Sequence, residues 1–255
     1  MKDEPSRRPH YGYYALPIVT VLSAIILALG VLAAELLSWL AGVVLIGFGV
    51  YNILSYGVSM YLTWDQTKAS ELPRMVHVRG DEKALDVGCG LGKMTIGVAK
   101  VLKKGRVVGI DIWDKMRIME NSAERAYENA RIEGVQDRVE FRYGDVLDIP
   151  FPDEYFDLAT AQSVLFNLPQ RRHPDMSKSK ALSEIYRVLR PRGKVVIVEP
   201  LRNLRSFFTI GPFGFWGLLS KDGWMTILKE AGFINIEYAY DNGLGIFASE
   251  RPVRE

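Results

Sequence analysis

Three aspartates and a run of alternating glycines carry the clearest chemical signal in this sequence. Asp86 stands just ahead of Gly88-Cys89-Gly90-Leu91-Gly92-Lys93. Asp111 closes the strand-like run 106–111, and Asp145 follows Gly144 after another strand-like run, 139–143. Glycines at this spacing allow a tight turn with dihedrals closed to other residues, and they let a ligand lie against bare backbone. A pyrophosphate would be ill placed beside Asp86, and the dinucleotide spacing G-x-G-x-x-G is broken because Lys93 fills its third slot. A ligand with positive charge near Asp86 and hydroxyls near Asp111 would fit better. The pattern points to binding rather than nucleophilic chemistry: the sequence has no His/Cys/Asp cluster at metal-ligand spacing and no Ser–His–Asp arrangement. The single cysteine, Cys89, excludes an internal disulfide, fits a reducing compartment, and reads as a small packing residue inside the turn.

The elements that must position these residues alternate. A strand over 84–87 leads through the glycine turn into a helix over 94–103, the strand–turn–helix joint that can present backbone N–H groups to a ligand. A second strand (106–111), a helix (119–133, stopped by Gly134) and a third strand (139–143) follow. The proline-punctuated loop 147–157 enters a fourth strand, 158–161. Next come a helix over 181–189, an apolar strand over 194–199 and a helix over 221–231 stopped by Gly232. An antiparallel pair, 234–240 and 244–249, closes the chain about Asp241-Asn242-Gly243. This is an α/β pattern, in which ligands sit at the carboxyl ends of the strands, where Asp111 and Asp145 fall.

Asp86–Gly92 reads D-x-G-x-G-x-G, which resembles the first motif of the class I SAM-dependent methyltransferases (SAM, S-adenosyl-L-methionine). With Gly109–Asp111, Gly144–Val146 and Ile149–Asp157 in order, residues 80–250 resemble the ubiquinone/menaquinone methyltransferase-like branch, which also includes sterol and small-molecule enzymes. Trp113-Asp114-Lys115 and Glu128-Asn129-Ala130-Arg131-Ile132-Glu133-Gly134-Val135 are similar to membrane-tethered members. The resemblance implies a seven-stranded Rossmann-like sheet with helices on both faces, SAM as cofactor, and no metal. It implies cofactor contacts from Asp86, Gly88, Cys89, Gly90, Gly92, Asp111, Ile112, Trp113, Gly144, Asp145, Val146 and Gln162. Asp86 would face the sulfonium and ammonium, Asp111 the ribose hydroxyls, Ile112 and Trp113 the adenine, and Asp145 its amino group. Methyl transfer mainly needs alignment, though a phenol or quinol acceptor gains from a base. Relatives often carry a histidine just after the fourth strand, where this chain has Asn167; His173 and Tyr186 are the other candidates.

Ahead of this domain the composition changes. From Ala15 to Thr63, Glu35 is the sole formal charge. The run divides at 34–38 into two candidate spans, about 16–33 and 39–62, each roughly 27–36 Å long as a helix. The expected organisation is a cytoplasmic tail (1–14), two transmembrane helices (15–63), a linker (64–80) partly helical around 70–76, and a methyltransferase domain (81–255). Tyr11, Tyr13 and Tyr14 before the hairpin, and Trp39, Tyr61 and Trp64 around the second span, read as aromatic belts. Lys2, Arg7, Arg8, Lys68 and Arg74 flank a hairpin whose connecting loop has no Lys or Arg, which makes the protein two-pass integral with the domain on the cytoplasmic face. A cleaved signal peptide is the competing reading.

Asn52, Ser55, Ser59 and Thr63 share one face of the second span, with Gly42 and Gly49 as close-approach points. That face reads as packing against the first span; a homo-oligomer contact or a lipid groove is the alternative. The stretch 201–220, with four phenylalanines and Trp216 behind Arg202 and Arg205, reads as a membrane-contacting lid, with a core insert as the alternative. A net charge of +2 without a basic run interleaved with aromatics excludes nucleic acid as an expected partner. The expected partners are the bilayer and a small lipophilic methyl acceptor: a quinol, an isoprenoid or a lipid head group. Two alternatives stay open: an enzyme for a soluble small molecule that uses the hairpin only for location, and an inactive SAM-binding membrane module.

Overall fold

The computed structural model describes residues 8–63, 65–71, 75–168, 174–210, 215–241 and 243–253. Two helices lead, α1 (Leu16–Leu36) and α2 (Trp39–Thr63), with mean hydropathies of 2.6 and 1.6 over their candidate spans. Both are long and apolar enough to cross a membrane. They run antiparallel at close range: a Cβ on Gly30 would meet Ile46, one on Gly42 would meet Ala34, and one on Gly49 would meet Leu27. α1 extends past the expected break at Ala33, so the connection shrinks to Leu37 and Ser38, whose Oγ accepts the Ala41 N–H (3.2 Å) and caps α2. Ser55 and Ser59 are buried, as is Ser23 on α1. Outward-facing Val21, Leu22, Ile25 and Leu29 on α1, and Leu40, Val43 and Leu54 on α2, are exposed.

The remainder is a three-layer α/β domain. Its seven strands lie in the order β3-β2-β1-β4-β5-β7-β6. They are β1 (Lys83–Val87), β2 (Arg106–Asp111), β3 (Val139–Tyr143), β4 (Phe156–Gln162), β5 (Leu189–Pro200), β6 (Ile234–Asp241) and β7 (Leu244–Glu250). Strands β1–β5 pair in parallel, whereas β7 inserts antiparallel between β5 and β6. Helices α3 (Lys93–Val101) and α4 (Ala123–Ile132) cover one face, where Ile96, Val98, Ala126 and Ala130 pack with Tyr11. Helices α5 (Pro174–Val188) and α7 (Lys221–Glu230) cover the other, with Leu182, Ile185, Trp224 and Leu228 in the larger core. With both faces covered, the central strands are almost continuously buried.

Several boundaries differ from expectation for identifiable reasons. The helix expected from Met119 starts at Ala123, because Glu120 has a left-handed backbone (φ 57°) and Ser122 Oγ caps by accepting the Arg125 N–H. The aromatic segment contains a short helix, α6 (Leu204–Ile210), that the hydrophobic pattern did not reveal. Of the linker stretch expected to be partly helical, residues 70–71 and 75–76 are not helical and residues 72–74 lie outside the described residues. Chain order moves from β1 to β2 on one side and from β1 to β4 on the other. The crevice at the carboxyl ends of β1 and β4 is therefore the topological switch point where such sheets bind ligands.

Candidate active site

A cavity of about 320 Å³ opens at that switch point, within the range of small-molecule sites. The glycine turn forms its floor. Gly88 (φ 66°) and Gly90 (φ 51°) take left-handed conformations, and a Cβ on Gly88 would lie 2.2 Å from Val164 Cγ2. Four of the turn's amides are engaged inside the protein rather than presented to a ligand as the sequence reading expected. The N–H groups of Gly88 and Cys89 donate to the Ile110 carbonyl (2.8 and 3.0 Å), that of Gly92 to the Cys89 carbonyl (2.8 Å), and that of Gly90 to Asp111 Oδ2 (2.9 Å). What the glycines supply is bare backbone surface.

The carboxylates are braced. Asp86 is buried; its oxygens accept from Thr95 Oγ1 (2.6 Å) and Thr160 Oγ1 (2.7 Å), tying β1 to α3 and β4. Burial outweighs those hydrogen bonds and raises its pKa to about 6. Asp111 Oδ1 accepts from the Trp113 N–H (2.7 Å) and from Asn121 Nδ2 (3.2 Å). Asn121 Oδ1 is buried and has no partner among the described residues, leaving an acceptor beside Asp111 at the end of β2. Burial pushes the Cys89 thiol well up, and its Sγ packs where a Cβ on Gly109 would stand, so it fills space.

Of the expected cofactor residues, Asp86, Gly88, Cys89, Gly90, Asp111, Ile112, Gly144, Asp145, Val146 and Gln162 all line the cavity. Two do not. Trp113, expected against adenine, has a left-handed backbone (φ 57°) and packs on the α3–α4 core. Gly92 stands behind the turn, where a Cβ would meet Phe141 Cζ at 2.9 Å. Asn167 lines the cavity, its amide donating to the Ser163 carbonyl (3.0 Å); an amide takes up no proton, so this side chain positions rather than acts as a base. Tyr186 is remote, stacked edge-on with Phe233 and facing the Arg251 guanidinium. His173 lies outside the described residues.

The sequence reading missed how the site is roofed. Residues 8–15 form a strap across the cofactor cavity. Tyr11, expected in an aromatic belt, is buried in the domain and lines the cavity, its hydroxyl donating to Glu133 Oε1 (3.3 Å). Asn129 grips the strap from both sides: the His10 N–H donates to its Oδ1, and its Nδ2 donates to the His10 and Leu91 carbonyls, each at 3.0 Å. Asn129 and Glu133 belong to the E-N-A-R-I-E-G-V run, which explains structurally what that run does. Tyr14 also lines the cavity and bridges to Ile118; the Ala15 N–H donates to the Arg117 carbonyl (2.6 Å). Arg117 reaches the Tyr14 hydroxyl (3.4 Å) and the Asn167 carbonyl (3.5 Å), joining strap and rim. Lys93 Nζ donates to the carbonyls of Asp65 and Lys68 and lies over the Tyr11 ring; burial lowers its pKa to about 8. Ser70 Oγ donates to Gln162 Oε1 (2.6 Å), folding the linker against β4.

Beneath the rim, Glu199 at the end of β5 is wholly buried. Its Oε1 accepts the N–H groups of Val164 (3.0 Å) and Leu165 (2.7 Å), which fixes the segment after β4, and burial raises its pKa to about 8. The cavity thus fits SAM by three features: a glycine surface without competing side chains, carboxylates along the strand ends, and the unpartnered Asn121 oxygen for a hydroxyl.

Comparison with known proteins agrees with this geometry. Residues 85–197 match the family model described as a methyltransferase domain. A demethylmenaquinone methyltransferase of Symbiobacterium thermophilum is 31% identical over 57% of this chain and 53% of its own length. The 27-O-demethylrifamycin SV methyltransferase of Amycolatopsis mediterranei is 34% identical over 63% of this chain and 57% of its own. The chain thus spans little more than half the length of these curated relatives. A crystal structure of a SAM-dependent methyltransferase from Methanosarcina mazei superposes with a TM-score of 0.56, covering 72% of this chain and all of that one at 21% identity, which shows a shared fold. With its seven-stranded sheet, its cavity at the switch point and the match over residues 85–197, this part of the chain is a methyltransferase domain with the fold of the SAM-dependent enzymes.

Proposed function

We propose that this protein is anchored in a membrane by α1 and α2 and transfers the methyl group of SAM to a lipid-soluble or membrane-associated small acceptor. One observation carries the reading. α1 begins immediately after Tyr14 and Ala15, and Tyr14 is itself a wall of the cofactor cavity, so the base of the hairpin and the site are one structure. Tyr56 of α2 donates from its hydroxyl to the Tyr14 carbonyl (3.0 Å), locking the second helix to the same point. If the hairpin spans, the cavity sits at the membrane surface, and the positive flanks support the cytoplasmic side. The exposed Phe208 and Trp216 then face lipid. The demethylmenaquinone methyltransferase relative supports a quinol-type acceptor.

When bound, SAM supplies an electrophilic methyl on a positively charged sulfur. The chain's part is alignment: the glycine surface and Asn121 hold the cofactor, while Arg117 and Asn167 join the strap to the rim around the reacting face. A phenol or quinol acceptor must shed its proton, and in this reading it passes to solvent at the rim. The test is to incubate purified full-length protein with radiolabelled SAM and a total membrane-lipid extract. We expect labelled, solvent-extractable product; label confined to water-soluble acceptors, or no transfer, refutes the reading.

A further inference from the structure

The cofactor cavity has a neighbour. A second cavity of about 140 Å³ adjoins it on the hairpin side, and Tyr14 and Ser163 line both. Its walls come from parts of the chain far apart in sequence: Val19 at the start of α1, Ser59 and Met60 near the end of α2, Phe166 after β4, and Thr209 and Ile210 at the end of α6. Two hydrogen bonds from α2 frame it. Tyr56 Oη donates to the Tyr14 carbonyl (3.0 Å) at one side, and Tyr51 Oη donates to the Phe207 carbonyl (2.9 Å) at the other, holding α6 against the helix. Tyr51 lies twelve residues before the end of α2, about 18 Å along its axis. α6 therefore flanks the candidate span well inside its length, with Leu204 and Phe208 exposed on its outer side.

We propose that this chamber is the acceptor subsite, taking a neutral ring or a single isoprene-sized unit of a membrane-dissolved methyl acceptor. The reacting atom would face the cofactor at the Tyr14–Ser163 passage. The inference rests on the function proposed above and narrows it. Size sets the first limit: an apolar cavity of about 150 Å³ takes up one benzene, so this one holds a single ring or one branched five-carbon unit, and any longer chain must lie outside. Charge sets the second. Among the described residues the lining has no charged side chain, so a phosphate-bearing head group would lose its hydration without compensation, whereas a phenol or quinol ring would not. Continuity sets the third. The same two helices that form the candidate spans form one wall, so an apolar molecule reaches the chamber from the bilayer without exposing its chain to water. Tyr14, whose hydroxyl burial raises to about 12, stays a neutral hydrogen-bond donor at the passage.

The experiment uses full-length protein in phosphatidylethanolamine/phosphatidylglycerol vesicles containing a diazirine-bearing farnesyl phenol, with saturating S-adenosylhomocysteine. After irradiation, label should map to peptides containing Ser59–Met60 or Thr209–Ile210. Filling the chamber by Thr209→Trp or, independently, Ser59→Phe should cut that label at least fivefold while S-adenosylhomocysteine affinity stays within twofold. Label confined to the outward face of α1 around Val21 and Leu22, or label undiminished in a filled variant that still binds S-adenosylhomocysteine, overturns the proposal. The lipid-extract assay separates the two levels. If the wild type makes no lipid product, the function itself falls; if wild type and filled variants make it equally, the chamber assignment alone falls.

Discussion

Gly88→Ala tests the claim that the cofactor floor is a bare surface pinned from behind. Its cost has two separable parts. Gly88 sits at φ 66°, where an L-residue loses about 1–2 kcal/mol. The new methyl would also lie 2.2 Å from Val164 Cγ2 and 2.6 Å from its Cβ, against an ordinary carbon–carbon contact of about 3.5–4.0 Å. Val164 has little room to retreat, because Glu199 Oε1 accepts both its N–H and that of Leu165. Overpacking of this kind costs about 1–3 kcal/mol, for a sum of about 2–5 kcal/mol. Gly134→Ala is the internal control: its φ is 69°, yet nothing lies within 4 Å of the added carbon, so it bears only the first part. Urea unfolding of detergent-solubilised protein should therefore show Gly88→Ala losing at least about 1 kcal/mol more than Gly134→Ala. Calorimetry should show S-adenosylhomocysteine binding weakened tenfold or more by Gly88→Ala, about 1.4 kcal/mol, and untouched by Gly134→Ala. Equal losses in the two variants with unchanged affinity would show that Val164 yields freely and that the floor is not pinned.

Two further outcomes follow from the parts behind and above the site. Glu199 has a folded-state pKa raised to about 8, so the stability it contributes is complete below the ordinary carboxylate range and is lost as pH rises through 8; Glu199→Gln, which keeps the acceptor oxygen, should flatten the decline of unfolding free energy between pH 6 and 9, and an unchanged slope would mean the group is not the one titrating. Asn129→Ala removes two hydrogen bonds to the strap and one to the Leu91 carbonyl of the glycine turn, so amide exchange over residues 8–15 should quicken and S-adenosylhomocysteine affinity fall severalfold; exchange at the wild-type rate would show that the strap is held by other contacts.

Much of the site was legible in sequence because it is local. Asp86, the glycines and Asp111 are spaced by the geometry of a single strand–turn–helix–strand unit, so their order in the chain is nearly their order in space. The same holds for Gly144–Val146 and Gln162, which stand at the ends of successive parallel strands. Trp113 was misread because spacing says which residue follows a strand but not which way its side chain turns; its left-handed backbone sends the ring into the α3–α4 core. The turn amides were misassigned for a similar reason. The acceptors of the Gly88, Cys89 and Gly90 amides, the Ile110 carbonyl and Asp111, belong to the next strand, and only the pairing of β1 with β2 brings them within reach.

By itself the sequence determined the fold class, the cofactor, and the presence of two helices apolar enough to cross a membrane, because each depends on short-range periodicity or on one contiguous motif. Tertiary structure alone decided what those parts mean to one another. Tyr11 and Tyr14 look like an aromatic belt in the chain, yet they roof the cofactor cavity because Asn129, Glu133 and Arg117, more than a hundred residues away, hold them there. The second chamber is less legible still, since its walls are drawn from residues 14 to 244 and no single segment carries its signature. Non-local contacts of this kind leave no period in a sequence.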